Sequence, residues 1–115
     1  MELEHRSEDG ALVVWPVDKR LDARSVAEFK TQMAELVAAG HRRLVLNISE
    51  IEFIDSSGLG GIVSILRQLG GNGILVICGA RDTVLTMFKL TRLDKVFEMF
   101  ADEREAVAAL SRGAG

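Results

Sequence analysis

Cysteine is all but missing. Cys78 is the only one in 115 residues, so no intramolecular disulfide can form, and the apolar run Ile74–Ile77 before it marks it as a small core residue in a buried strand. Histidine is nearly as scarce. His5 and His41 stand apart, and neither belongs to a Cys/His cluster or the paired-acid spacing that zinc or calcium needs; no metal and no cofactor is expected. No apolar run approaches the ~18 residues of a membrane span. The opening Met1-Glu2-Leu3-Glu4-His5-Arg6 lacks the apolar stretch of a signal peptide, which makes the cytoplasm the expected compartment. Basic excess is absent too. The net charge is −3, with 27% charged residues of both signs. The densest basic groups, Lys19-Arg20 and His41-Arg42-Arg43, fall at element ends. A nucleic-acid binder carries a basic patch, so nucleic acid is not an expected partner.

What is present is enough apolar material, 48%, for one core and one domain over residues 1–115. Leu3 to Arg6 reads as a short edge strand, Asp9-Gly10 as a hairpin turn and Ala11 to Val17 as a strand. Pro16, the single proline, belongs at an edge or where the strand leaves the sheet. Lys19 to Arg24 reads as a loop. Ser25 and Glu28 have the spacing of a capping box, leaving Asp22 one turn upstream with no capping duty. Val26, Phe29, Met33, Leu36 and Val37 recur at helical spacing until Gly40. Leu44 to Ile48 and Ile74 to Cys78 are continuous apolar runs, the pattern of parallel strands covered on both faces. Between them Ile51 should tuck inward, and Leu59, Ile62, Val63, Leu66 and Leu69 define the buried face of a second helix. Its other face begins with Gly60, Gly61 and Ser64, and Gly70 to Gly73 ends it. Asp82 is placed to cap a third helix reaching Leu90, with Val84, Leu85 and Phe88 inward. A loop follows from Thr91 to Lys95, then a short strand from Val96 to Phe100. Asp102 caps a last helix facing the core with Ala106, Val107 and Leu110. The ordered part should run over about residues 2–111, with a short flexible C-terminal tail. The chain is therefore expected to be α/β: a mixed, mostly parallel sheet of about five strands covered by about four helices.

One stretch carries the chemistry, Phe53-Ile54-Asp55-Ser56-Ser57-Gly58-Leu59-Gly60-Gly61, at a strand-to-helix junction. Its glycines fail the dinucleotide spacing, since position 63 is Val, and no Gly-Lys-Ser/Thr of a P-loop follows. A nucleophile elbow needs Gly-x-Ser-x-Gly, yet residues 55 and 59 are Asp and Leu, and neither histidine is placed to act as base. An enzyme is not expected. Helix capping accounts for one residue of the Asp55-Ser56-Ser57 trio. The surplus hydroxyl lies at the positive end of a helix beside bare glycines. A phosphoryl group there would find a favourable dipole and add about −1.5 to −2 charge, which suits a switchable docking surface.

Phe53 to Gly60 closely resembles the phosphorylation motif of bacterial anti-sigma factor antagonists, single-domain proteins of the STAS family. Leu21-Asp22, Leu44 to Ile48, and Met87 to Leu93 resemble further landmarks of that family in the same order, so the likeness covers about residues 10–110. It implies that Ser57 is the phosphorylated serine, with Ser56 as the neighbouring alternative. It implies that Asp22, Asp55, Ser56, Gly58, Leu59, Gly60, Gly61 and Ser64 form the partner-binding surface. The implied partners are a GHKL-type serine kinase that doubles as anti-sigma factor, and a PP2C-like phosphatase that resets the switch. ATP and magnesium belong to those partners, and the free chain is expected to be a monomer. Lys19-Arg20 stands where the family often has a Gly-Glu type pair, which bears on partner choice. A phosphoswitch controlling biofilm, secretion or motility, and a transport or scaffold subunit with no phosphate cycle, stay open beside the sigma-linked reading.

Overall fold

The computed structural model describes residues 1–112. Asp9 and Gly10 both adopt positive φ, 50° and 83°, the geometry of the tight turn that Asp-Gly favours. They join β1 (Leu3–Glu8) to β2 (Ala11–Pro16) as an antiparallel pair. From β2 onward the sheet is parallel: β2 pairs β4 (Arg43–Asn47), β4 pairs β6 (Ile74–Cys78), and β6 pairs β7 (Met99–Phe100). The five-stranded order is β1-β2-β4-β6-β7. Pro16 ends β2 beyond the residues that pair with β4, Leu12 to Val14, where a missing N–H costs no ladder bond.

Alternation along the strands divides the interior in two. Leu12, Val14, Leu44, Leu46, Leu75 and Ile77 face three helices: α1 (Val26–Ala38), α2 (Ser56–Leu69) and α3 (Asp82–Leu90). Ala11, Val13, Val45, Val76 and Cys78 face α4 (Glu103–Arg112) through Ala106, Val107 and Leu110. Burial pushes the Cys78 thiol up to about 12, so it stays protonated and inert.

The C-terminal helix is tied at both ends. Asp102 caps it as expected, accepting the Glu105 N–H at 2.9 Å. Arg43 donates to the Leu110 carbonyl, and Ser111 Oγ donates to the Asp9 carbonyl. The helix runs to Arg112, one residue past the expected end of the ordered part; the rest of the expected tail lies outside the described residues. Glu103 pairs with Arg6, which lies 5.4 Å over the Trp15 ring, and accepts from Asn47 Nδ2 at 2.9 Å. Burial alone would raise its pKa, but Arg6 and Asn47 outweigh that and hold it below the ordinary 4.5. A depressed carboxylate pKa stabilises the fold above the unfolded value and loses that contribution as pH falls through the folded one. Glu103→Gln is accordingly expected to cost about 1 kcal/mol at pH 7. Urea titrations at several pH values should show the gap from wild type closing below the ordinary glutamate range.

Three local expectations need correction. The loop expected over residues 19–24 contains a strand, β3 (Arg20–Leu21), which pairs in parallel with β5 (Phe53–Ile54) in a separate two-stranded sheet. The strand expected from Val96 is only Met99–Phe100. A 3-10 turn at Leu93–Lys95 sends Phe97 into the core, edge-on to Phe88 with ring centroids 6.3 Å apart. Asp82 does not cap α3: Arg81 holds the cap position without a side-chain bond, and Asp82 is the first helical residue. There its charge still complements the helix dipole.

Candidate functional site

The β3–β5 pair brings residues about 30 positions apart in sequence into one turn. Asp55 leaves β5 in extended conformation, φ −115° and ψ −176°, and α2 begins at Ser56, three residues earlier than the apolar periodicity indicates. One carboxylate then serves two segments. The Gly58 N–H donates to Asp55 Oδ1 at 2.9 Å and caps α2; the Ala23 N–H donates to Asp55 Oδ2 at 3.2 Å and fastens the loop after β3. The Asp55 N–H itself donates to the Leu21 carbonyl at 3.4 Å.

The loop from Asp22 to Ser25 is a second knot of hydrogen bonds, and it overturns the expected capping box. Ser25 holds the cap position of α1 but makes no side-chain cap bond. Its Oγ accepts the Asp22 N–H at 3.1 Å and donates to the Arg20 carbonyl at 3.2 Å. Glu28, which would complete the box, binds the Met1 amine at 2.8 Å instead. Asp22 does the starting: its carbonyl accepts the Ser25 and Val26 N–H groups, and its Oδ1 accepts the Arg24 N–H at 3.0 Å. Far from idle, Asp22 is 14% exposed and paired to Arg20 Nε at 3.1 Å. The Arg20 hydrogen bond leads the effects that hold its carboxyl below the usual aspartate range.

With the cap supplied by Asp55, both serine side chains are left over. Ser56 and Ser57 are exposed in the first turn of α2, and no side-chain hydrogen bond among the described residues uses either hydroxyl. Gly60 is exposed with open space around it. The other proposed contact residues are placed differently. Gly58 and Leu59 are buried, and a methyl on Gly58 would overlap the Leu21 carbonyl oxygen and lie 2.9 Å from Ile54 Cγ1. Gly61 is buried against α1, where a methyl would overlap Val26 Cγ2 at 2.5 Å. Ser64 is half-buried, its hydroxyl donating to the Gly61 carbonyl at 2.7 Å. The expected contact surface therefore divides. Asp55, Gly58, Leu59 and Gly61 shape the turn, while Ser56, Ser57 and Gly60 are presented. The helix faces shift with this: Ile65 is buried, and Val63 and Leu66 are only half-buried.

Two grooves flank the turn. One, of about 460 Å³, is lined by Phe53, Ile54, Asp55, Ser56, Thr83 and Met87 among others; sequence reading did not link α3 to the motif, because only the fold brings Thr83 and Met87 beside it. The other, of about 690 Å³, is lined by Asp18, Lys19, Arg20, Asp22, Arg24 and Ser25. No histidine lines either one, and no cluster of three or more His, Cys, Asp or Glu that could hold a metal occurs among the described residues. The basic pair is tethered: Lys19 Nζ lies 3.2 Å from Glu52, and the Arg20 guanidinium lies 4.2 Å over the Phe53 ring. Arg81 closes the far side, with Nη1 3.8 Å from Glu52 and Nε donating to the Ser49 carbonyl at 2.9 Å. No helix among the described residues is long and apolar enough to cross a membrane.

Comparison with known proteins agrees with this architecture. The STAS domain family model matches residues 2–106. A Thermotoga maritima protein provisionally named an anti-sigma factor antagonist is 27% identical over 106 residues, covering 90% of this chain and 93% of its own. The anti-sigma-B factor antagonist of Staphylococcus aureus is 31% identical over 78 residues, covering 67% and 72%. Among solved structures, an anti-sigma factor antagonist from Mycobacterium paratuberculosis superposes with a TM-score of 0.86 at 23% identity, covering 94% and 92% of the two chains; that likeness speaks for the fold.

Proposed function

Because the chain belongs to the STAS domain family, we propose that it is an anti-sigma factor antagonist switched by phosphorylation of Ser57. Unmodified, it binds a GHKL-type serine kinase that also holds a sigma factor, and the sigma factor is released. Phosphorylated, it lets go, and a PP2C-like phosphatase resets it. The observation that carries this reading is the division of labour in the turn. Asp55 satisfies the helix end, so the Ser57 hydroxyl is exposed in the first turn of α2 and enters no side-chain hydrogen bond among the described residues. The names of the relatives support the same role.

The chemistry asks little of this chain. The Ser57 oxygen attacks the γ-phosphorus of ATP held by the partner. The new O–P bond forms as the bond to ADP breaks, and the serine proton passes to a base of the partner. The chain supplies position and a helix N-terminus whose partial positive charge tolerates the product. The test is to incubate the chain with GHKL-type kinases and magnesium ATP, then map the product by mass spectrometry. One phosphate on Ser57, absent from Ser57→Ala, is expected. No incorporation, or incorporation elsewhere that survives Ser57→Ala, overturns the assignment.

A further inference from the structure

Resting on the phosphoswitch reading, we propose that the kinase meets the Ser57 turn with an acidic segment, and that Arg20 and Arg24 select it. The groove beside the turn holds three cations, Lys19, Arg20 and Arg24, against two acids, Asp18 and Asp22. Formal charge there is close to balanced, but the structure separates the signs by depth. The acids are committed to their own chain. Asp22 is 14% exposed and takes up Arg20 Nε and the Arg24 N–H. Asp18 Oδ1 accepts the Glu2 N–H at 3.1 Å. The cations face out, with Lys19 and Arg20 side chains 68% and 62% exposed and Arg24 exposed as well.

The three cations are not equivalent. Lys19 is spent on Glu52. Arg20 is held from below by Asp22 through Nε and from the side by the Phe53 ring. Its terminal nitrogens form no ion pair among the described residues. A guanidinium pinned in that way is a fork already set for a carboxylate. Arg24 enters no ion pair among the described residues. The loop that carries it is fastened to Asp55 by the Ala23 N–H, so both arginines keep a fixed relation to Ser57. A chain of net charge −3 thus presents an outward cationic strip beside its acceptor serine. Three cations fall short of the roughly 6–10 phosphate contacts of a strong nucleic-acid binder, which leaves carboxylates on a protein as the fitting complement. The sign of the switch follows. Phosphate on Ser57 brings about −1.5 to −2 charge, cancels the attraction of Arg20 and Arg24, and opposes the partner's acids directly.

The experiment is steady-state phosphorylation of the full chain by whichever GHKL-type kinase modifies Ser57 in the assay above. Arg24→Glu is the deciding variant, because its side chain takes part in no hydrogen bond or ion pair among the described residues and its loss leaves the loop intact. It is expected to raise KM about tenfold with kcat within about twofold. Arg20→Glu should do at least as much. Lys89→Glu, the same charge change on an exposed position in the last turn of α3, should leave KM within about twofold. An unchanged or lower KM for Arg24→Glu, or an equal rise for Lys89→Glu, overturns the proposal while phosphorylation of the wild type upholds the switch. Failure of every kinase on the wild type sinks both together.

Discussion

Gly58→Ala is expected to destabilise the protein by about 3 kcal/mol, although alanine is the better helix former at nearly every interior helix position. The reason is the β3 backbone. A methyl at this position would occupy the space of the Leu21 carbonyl oxygen and crowd Ile54. An oxygen on a paired strand cannot rotate away as the end of a side chain can. It also sits one residue from Asp22, so relief by moving β3 pulls on the Ala23–Asp55 hydrogen bond. The control is two residues on. Gly60 is in the same helix, exposed, with nothing within 4 Å of the added carbon, so Gly60→Ala should gain about 1 kcal/mol from propensity alone. Thermal melts should separate the two by roughly 15 °C, at about 4 °C per kcal/mol for a domain of this size. A stabilised Gly58→Ala would mean that β3 does not press on α2.

The second large effect concerns binding with the fold intact. Ser57→Asp should weaken the complex with the kinase at least about thirtyfold, or about 2 kcal/mol, through like-charge and desolvation costs. Its melting temperature should not fall, because a carboxylate in the first turn of α2 complements the helix dipole by a few tenths of a kcal/mol. Ser57→Ala, which removes the acceptor without adding charge, should retain binding. Calorimetric titration of the three proteins against one kinase preparation makes the comparison. Equal affinity for wild type and Ser57→Asp would remove charge from the mechanism and leave phosphate bulk alone.

The long elements were legible from the chain because their apolar periods are long. Leu44 to Ile48 and Ile74 to Cys78 could hardly be anything but covered strands, and β4 and β6 are that. Two-residue strands carry no period, so β3 and β5 could not be seen, and with them went the reason Gly58 is a glycine. Glycine beside serine reads equally well as an open surface or a close approach; only the Leu21 carbonyl and the flank of α1 decide between them. The Ser25 cap failed for a related cause. Ser25 and Asp55 are both good cap types, yet Ser25 spends its hydroxyl on the loop and Asp55 caps as sequence grammar directs. The competitor that took Glu28 from the capping box was the chain's own amino terminus, which no local window connects to α1. What sequence did contain was the surplus: three cap-type residues where one suffices, with the structure naming Asp55 as the one used.

The Ala23–Asp55 bond joins residues 32 apart, and this has a consequence for when the acceptor comes into being. The chain between them forms α1 and β4, so the loop beside Ser57 is fastened only once residues far apart in the chain have come together. Under the proposed phosphoswitch, a kinase that reads the finished outline of the turn, and not the Asp-Ser-Ser string, would pass over half-folded chains.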